Sequence, residues 1–149
     1  MSEVRIGIDL GGTKIEGIAL ASNGSTLLRQ RVPAPRDDYD ATVQAIVDLV
    51  NSIEHELGNQ GTVGIGTPGA VSPATGRIKN SNSTWVNGRT LLEDLTSRLN
   101  RPVRLDNDAN CFALSEALDG GGEGARVVFG VILGTGTGGG VIVDGRPLV

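Results

Sequence analysis

The chain holds a single cysteine, Cys111, which excludes an internal disulfide and supplies too few thiolates for a cysteine-based metal site. Its neighbours Ala109, Phe112 and Leu114 predict a small buried apolar role for it. An excess of basic residues is also missing. Thirteen Lys and Arg against seventeen Asp and Glu leave a net charge of -4, the wrong sign for wrapping a polyanion, so nucleic acid is not an expected partner. No apolar run approaches the ~20 residues that span a bilayer. The start, Met1-Ser2-Glu3, lacks a basic segment followed by a hydrophobic one, so a cytoplasmic chain with no membrane partner is expected. Prolines are few, at six, and no internal repeat, linker or low-complexity tract stands out beyond the glycine runs. At 149 residues the chain is long enough for one domain with a real core and short for a two-domain enzyme.

Glycine is what the chain has in surplus: 23 residues, about twice the usual share of ~7 %. Eleven of them fall between Gly120 and Gly145, where the backbone is expected to turn sharply or approach a ligand. Val4 to Leu10 reads as a strand covered on both faces. Ile15 to Leu20 and Thr26 to Val32 follow it across tight turns as an antiparallel meander. Asp40 is the expected cap of a helix to about Leu57, whose stripe is Val43, Ile46, Val47, Val50, Ile53 and Leu57, with Gly58 as its stop. Thr62 to Gly66 reads as a strand, and Leu92, Leu95 and Leu99 mark a second helix before Pro102. Val103 to Leu105 is a short strand, and Ala109 to Leu118 is helical. Val127 to Leu133 reads as a buried strand, Val141 to Val143 as another, and Asp144-Gly145 as a hairpin turn. That order predicts an α/β fold, a mixed sheet with helices on both faces.

Four stretches can carry chemistry. Asp9-Leu10-Gly11-Gly12-Thr13-Lys14 stands at a strand end, where paired glycines allow positive φ and let backbone amides face an anion. Thr13 adds a hydroxyl, and Asp9 could hold the water shell of magnesium; an ordinary Gly-Gly hairpin is the plain alternative. Gly134 to Gly140 alternates glycine with threonine at another strand end. It formally contains G-x-G-x-x-G, but a strand and not a helix follows, which excludes a dinucleotide fold. A P-loop is absent, since no Gly-Lys pair is followed by Ser or Thr at the required spacing. Two glycine-threonine hairpins remain, able to face a polyphosphate, against a flexible tract as the alternative. Asp106-Asn107-Asp108 lies at a strand-to-helix junction. A carboxylate there can take a proton from a substrate hydroxyl and Asn107 suits a sugar hydroxyl, while helix capping also explains these residues. Asn80 to Gly88 joins amide side chains to the only Trp, which fits a polyol or a polar turn anchored by a buried Trp.

Asp9-Leu10-Gly11-Gly12-Thr13, Gly66-Thr67-Pro68-Gly69, Asn107-Asp108-Ala109-Asn110 and Gly134-Thr135-Gly136-Thr137-Gly138-Gly139-Gly140 together resemble the ROK sugar kinases, in order and in approximate spacing, over essentially the whole chain. The Asn80 to Arg89 stretch looks most like the bacterial fructokinase or mannokinase branch, and Asp106 to Glu116 is similar also to the N-acetylglucosamine kinases. The resemblance implies an actin-like ATPase domain with a ribonuclease-H-like sheet, and ATP-dependent phosphorylation of a hexose hydroxyl. It implies Asp108 as general base, with Asn82, Asn107, Asp108 and Gly69 at the sugar. Gly11, Gly12, Thr13, Lys14, Gly134, Thr135, Gly136, Thr137 and Gly138 would lie at the ATP phosphates, and Asp9 at magnesium through water. Spacing alone leaves Asp106 and Asp108 equal as the base.

Members of the family run to roughly two domains. Residues 1–149 are therefore expected to form an N-terminal lobe with little activity alone, exposing an apolar surface or pairing it with another chain. Zinc is expected only in the second lobe, and a homodimer only in the full-length protein. A sugar-sensing module is the second reading; the family's repressors carry a winged helix ahead of the first strand, which this chain reaches by Val4. A nuclease using Asp9, Asp106 and Asp108 as metal ligands is the third, and the acidic balance and phosphate-loop glycines oppose it.

Overall fold

Strand alternation lays down the first core. In β1 (Val4–Leu10) the side chains of Val4, Ile6, Ile8 and Leu10 are buried, while Arg5 and Asp9, on the other face, are exposed. The expectation of a strand covered on both faces is thus corrected: period two, not continuous burial, governs it. A computed structural model describes residues 3–134 and 136–148, which form two compact units meeting in sequence between Leu105 and Asp106.

In the first unit β1, β2 (Lys14–Leu20) and β3 (Thr26–Pro33) make the antiparallel meander. The parallel neighbour of β1 is β4 (Gly61–Thr67), and with β7 (Val103–Asn107) the sheet order is β3-β2-β1-β4-β7. Between β3 and β4 runs α1 (Tyr39–Leu57), which buries Val43, Ile46, Val47, Val50 and Ile53 as the stripe predicts. Its cap is Asp38, not Asp40. Asp38 is extended at φ -131 and its carboxylate accepts from Ala41 N at 2.9 Å, whereas Asp40 lies inside the first turn, where its charge favours the helix dipole. Gly17 lets α1 settle on β2, since a Cβ there would stand 2.7 Å from Ile53 Cδ1 and 3.2 Å from Leu49 Cδ2. The two-residue strands β5 (Ala70–Val71) and β6 (Ile78–Lys79), a 3-10 turn at Thr84–Val86 and α2 (Leu91–Leu99), with Leu91 and Leu95 buried, complete this unit.

The second unit is α3 (Asp108–Asp119) on a sheet of β8 (Val127–Leu133), β9 (Thr137–Val143) and β10 (Arg146–Pro147), in the order β10-β9-β8. Asp144 and Gly145 turn β9 into β10 with φ of 48 and 75, the paired positive values that the Asp-Gly pattern predicts. Close packing of α3 uses small residues on both sides. A Cβ on Gly130 would stand 2.7 Å from Ala113 Cβ, and one on Gly140 2.6 Å from the Ala109 carbonyl oxygen.

The helix covers one face of this sheet. On the other, Val127, Phe129, Val131 and Leu133 are 44–80 % exposed, which corrects the expectation of a buried β8. Cys111 is exposed as well, because α3 buries only the Ala109 and Ala113 stripe and residue 111 falls off it. Among the described residues no helix is long and apolar enough to cross a membrane.

Candidate active site

The turn between β1 and β2 is closed by Gly11 N donating to the Lys14 carbonyl at 3.0 Å, and tied to the end of β3 by Ala34 N donating to the Thr13 carbonyl at 3.0 Å. Neither Gly11 nor Gly12 has positive φ, which corrects the sequence-based reason for them. Gly11 is required by close approach, since its Cβ would stand 2.7 Å from the Lys14 carbonyl oxygen. Gly12 is under no such demand: a Cβ there meets only Ser83 Oγ, at 3.6 Å. The tip therefore presents bare backbone together with exposed Asp9, Thr13 and Lys14. Glu16, the cross-strand neighbour of Asp9, is bonded to Arg31, with Arg29 3.4 Å away, and the Arg31 hydrogen bond holds its carboxyl below the usual range.

Gly69 has φ 85 and backs onto β6, where a Cβ would stand 2.5 Å from the Lys79 carbonyl oxygen, so its immediate reason is the turn. In the stretch after β6 the amide of Asn87 is used internally: it accepts from Ser81 N at 2.9 Å and donates to the Ser81 carbonyl at 3.0 Å. Ser81 Oγ in turn accepts from Ser83 N at 3.1 Å. Between these two buried serines, Asn82 is exposed. Trp85 anchors the loop to α1 by donating its indole N–H to Thr42 Oγ1 at 3.0 Å, and buried Thr42 donates onward to the Asp38 carbonyl at 2.7 Å. A second tie comes from Tyr39, whose hydroxyl donates to Asp94 and whose ring lies 4.7 Å from the Arg89 guanidinium. Burial, then the Asp94 bond, pushes the Tyr39 phenol up. Sequence reasoning missed Thr42 and Ser83; a lone polar residue beside the apolar stripe of α1 was the only signal for the first.

At the start of the second unit, the capping alternative holds for Asn107 alone of the three residues. Asp106 accepts from Asn107 N at 2.7 Å and Asn110 Nδ2 at 2.9 Å. The Asn107 side-chain oxygen accepts from Ala109 N and Asn110 N as the cap of α3. Asp108, partly exposed in the first turn, accepts from Ala109 N at 2.8 Å.

The glycine-threonine run is divided. Thr137 and Gly138 already belong to β9, with Thr137 opposite Leu133, and Gly138 has a packing reason, its Cβ falling 3.2 Å from Ala109 Cβ. At Gly134 a Cβ would meet nothing within 4 Å, and its N–H donates to the Gly136 carbonyl at 2.9 Å. Thr135 lies outside the described residues.

A meander entered by a glycine-threonine turn and extended by a parallel strand across a helix is the opening of the actin-like ATPase fold. The chain belongs to the ROK family, whose sequence profile matches residues 5–149. An N-acetyl-D-glucosamine kinase from Photobacterium profundum is 48 % identical over 140 residues, which cover 94 % of this chain and 46 % of that protein. The ROK hexokinase of Thermus thermophilus superposes with a TM-score of 0.86 at 34 % identity, over 99 % of this chain and 49 % of that one. A ROK glucokinase from Streptomyces griseus, solved with glucose and AMPPNP, gives 0.86 at 30 % identity, over 97 % and 46 %. The chain thus spans about half the length of the curated relatives it matches.

Proposed function

We propose that the chain is the N-terminal half of an ATP-dependent kinase acting on N-acetylglucosamine. The observation that carries this reading is 46–48 % identity to proteins of that name over 94–95 % of the chain. Those names move the substrate away from the fructose suggested by the Asn80 to Arg89 stretch. The exposed apolar face of β8 supports a further body of polypeptide packing there.

In this reading Asp108 accepts the proton of a sugar hydroxyl as its oxygen bonds to the γ-phosphorus of ATP. The bond from that phosphorus to the bridging oxygen breaks, and ADP leaves with the electron pair. Asp106 Oδ1 accepts two internal hydrogen bonds and Asp108 Oδ1 one, which supports Asp108 as the less constrained base. Asn82, Asn107 and Gly69 serve the sugar. Gly11, Gly12, Thr13 and Lys14, with Gly134, Thr135, Gly136, Thr137 and Gly138, serve the ATP phosphates. Catalysis of this kind is positioning and charge stabilisation, which bare backbone and exposed donors supply.

Asp9, exposed at the end of β1, fits a magnesium ion held through water, since that ion takes one or two carboxylates plus substrate phosphates. Bound there, magnesium would neutralise phosphate charge. Asp108→Asn in the full-length gene product tests the base: turnover falls by about 10² to 10⁴ with sugar affinity kept. Retained turnover would transfer the role to Asp106.

A further inference from the structure

Ser83 is 2 % exposed, and its Oγ has no hydrogen-bond partner among the described residues. Its surroundings make this unusual. The Ser81 N–H and carbonyl are taken by Asn87, Ser81 Oγ by Ser83 N, and the Ser83 carbonyl by Val86 N at 3.0 Å. In a segment so fully paired, one buried hydroxyl is left over, and buried polar atoms without partners are rare enough to need a reason. Its nearest neighbour supplies one. The position that a side chain would take at Gly12 is empty except for Ser83 Oγ at 3.6 Å, and Gly12 is the tip residue under no steric demand from the protein. The leftover hydroxyl thus sits between the phosphate hairpin and the loop that exposes Asn82.

We infer that Ser83 is a positioning residue that couples the two substrates: its hydroxyl gains a hydrogen-bond partner in the hairpin backbone when the hairpin closes on phosphate. The gap beside Gly12 allows that closure without a clash. Asn82 is the residue next to Ser83, and Ser81 on its other side is clamped by Asn87, so a shift of Ser83 is delivered to Asn82 and not dissipated along the loop. Coupling is reciprocal, so nucleotide tightens sugar binding by the same factor by which sugar tightens nucleotide. The inference rests on the sugar-kinase reading.

The test is calorimetric titration of N-acetylglucosamine into the full-length gene product, with and without saturating magnesium-AMPPNP, for wild type, Ser83→Ala and Ser83→Thr. Wild type is expected to bind sugar at least about 5-fold tighter with the nucleotide present, the low end of typical coupling. Ser83→Ala is expected to keep each separate affinity within about twofold and to lose the coupling. Ser83→Thr, which keeps the hydroxyl, is expected to retain it. An unchanged coupling factor in Ser83→Ala, an uncoupled wild type, or a Ser83→Ala protein that loses either separate affinity outright would each overturn the inference. A wild type that binds neither ligand would instead sink the kinase reading beneath it.

Discussion

The two adjacent glycines at the β1 to β2 turn separate folding from function. In Gly11→Ala the new methyl group stands 2.7 Å from the Lys14 carbonyl oxygen, the acceptor of the bond that closes the turn. Overpacking of this kind costs about 1–3 kcal/mol, and the stiffer unfolded chain returns about 0.4–1 kcal/mol. A net loss of about 0.5–2 kcal/mol lowers Tm by about 2 °C or less per kcal/mol in a protein of about twice this chain's length. Gly12→Ala has no clash, its nearest contact being ordinary at 3.6 Å, and keeps the unfolded-state gain. Its Tm is expected to hold or rise slightly. On the proposed function the bare backbone of this turn approaches phosphate, and an added methyl group hinders that approach, so magnesium-AMPPNP affinity is expected to fall at least about tenfold, or ~1.4 kcal/mol. Thermal unfolding and calorimetric titration of both variants in the full-length gene product check this. A Gly12→Ala protein with undiminished nucleotide affinity would refute the hairpin as phosphate cradle, and one that melts as early as Gly11→Ala would refute the steric reasoning.

Three further outcomes are expected. Thr42→Val strips the acceptor from the Trp85 indole and should cost about 1–3 kcal/mol in chemical denaturation; loosening of the Ser81 to Asn87 loop should raise the KM for sugar more than it lowers kcat. Because the Tyr39 phenol is pushed up in the folded protein, its contribution is fully present below the ordinary tyrosine range near ~10 and is lost as pH rises beyond it. Alkaline unfolding should therefore be shallower in Tyr39→Phe than in wild type. Gly140→Ala drives a Cβ to 2.6 Å from the Ala109 carbonyl oxygen and should lower both Tm and turnover, since α3 carries Asp108, while Gly134→Ala should leave Tm unchanged.

The order of strands and helices was legible because glycine pairs, Asp-Gly and Gly58 punctuate it, and because the α1 stripe has an unambiguous 3.6-residue period. The α1 start slipped because Asp37, Asp38 and Asp40 all lie within four residues, and the choice is made by backbone: Asp37 turns at φ 57 and leaves Asp38 extended. Burial of β8 was misread because an unbroken apolar run looks the same whether one face is covered or two. The glycines were seen without their reasons. Gly130, Gly138 and Gly140 serve the approach of α3, contacts set by tertiary packing that no local pattern reveals, while Gly11 serves the close approach of Lys14 inside its own turn. In the candidate site, the side-chain bond from Asn110 to Asp106 is a contact that spacing alone does not reveal. Ser83 gave no signal at all, since its interest lies in an unpaired atom.

The most direct measurement is sugar-dependent ADP release from the full-length gene product with magnesium and ATP, across N-acetylglucosamine, glucose, mannose and fructose. Release with N-acetylglucosamine well above the blank and above the other three is the expected result. No release with any sugar from a folded sample would contradict the kinase reading, move the weight to a sugar-sensing module, and reduce Asp108 to a residue of the first helical turn.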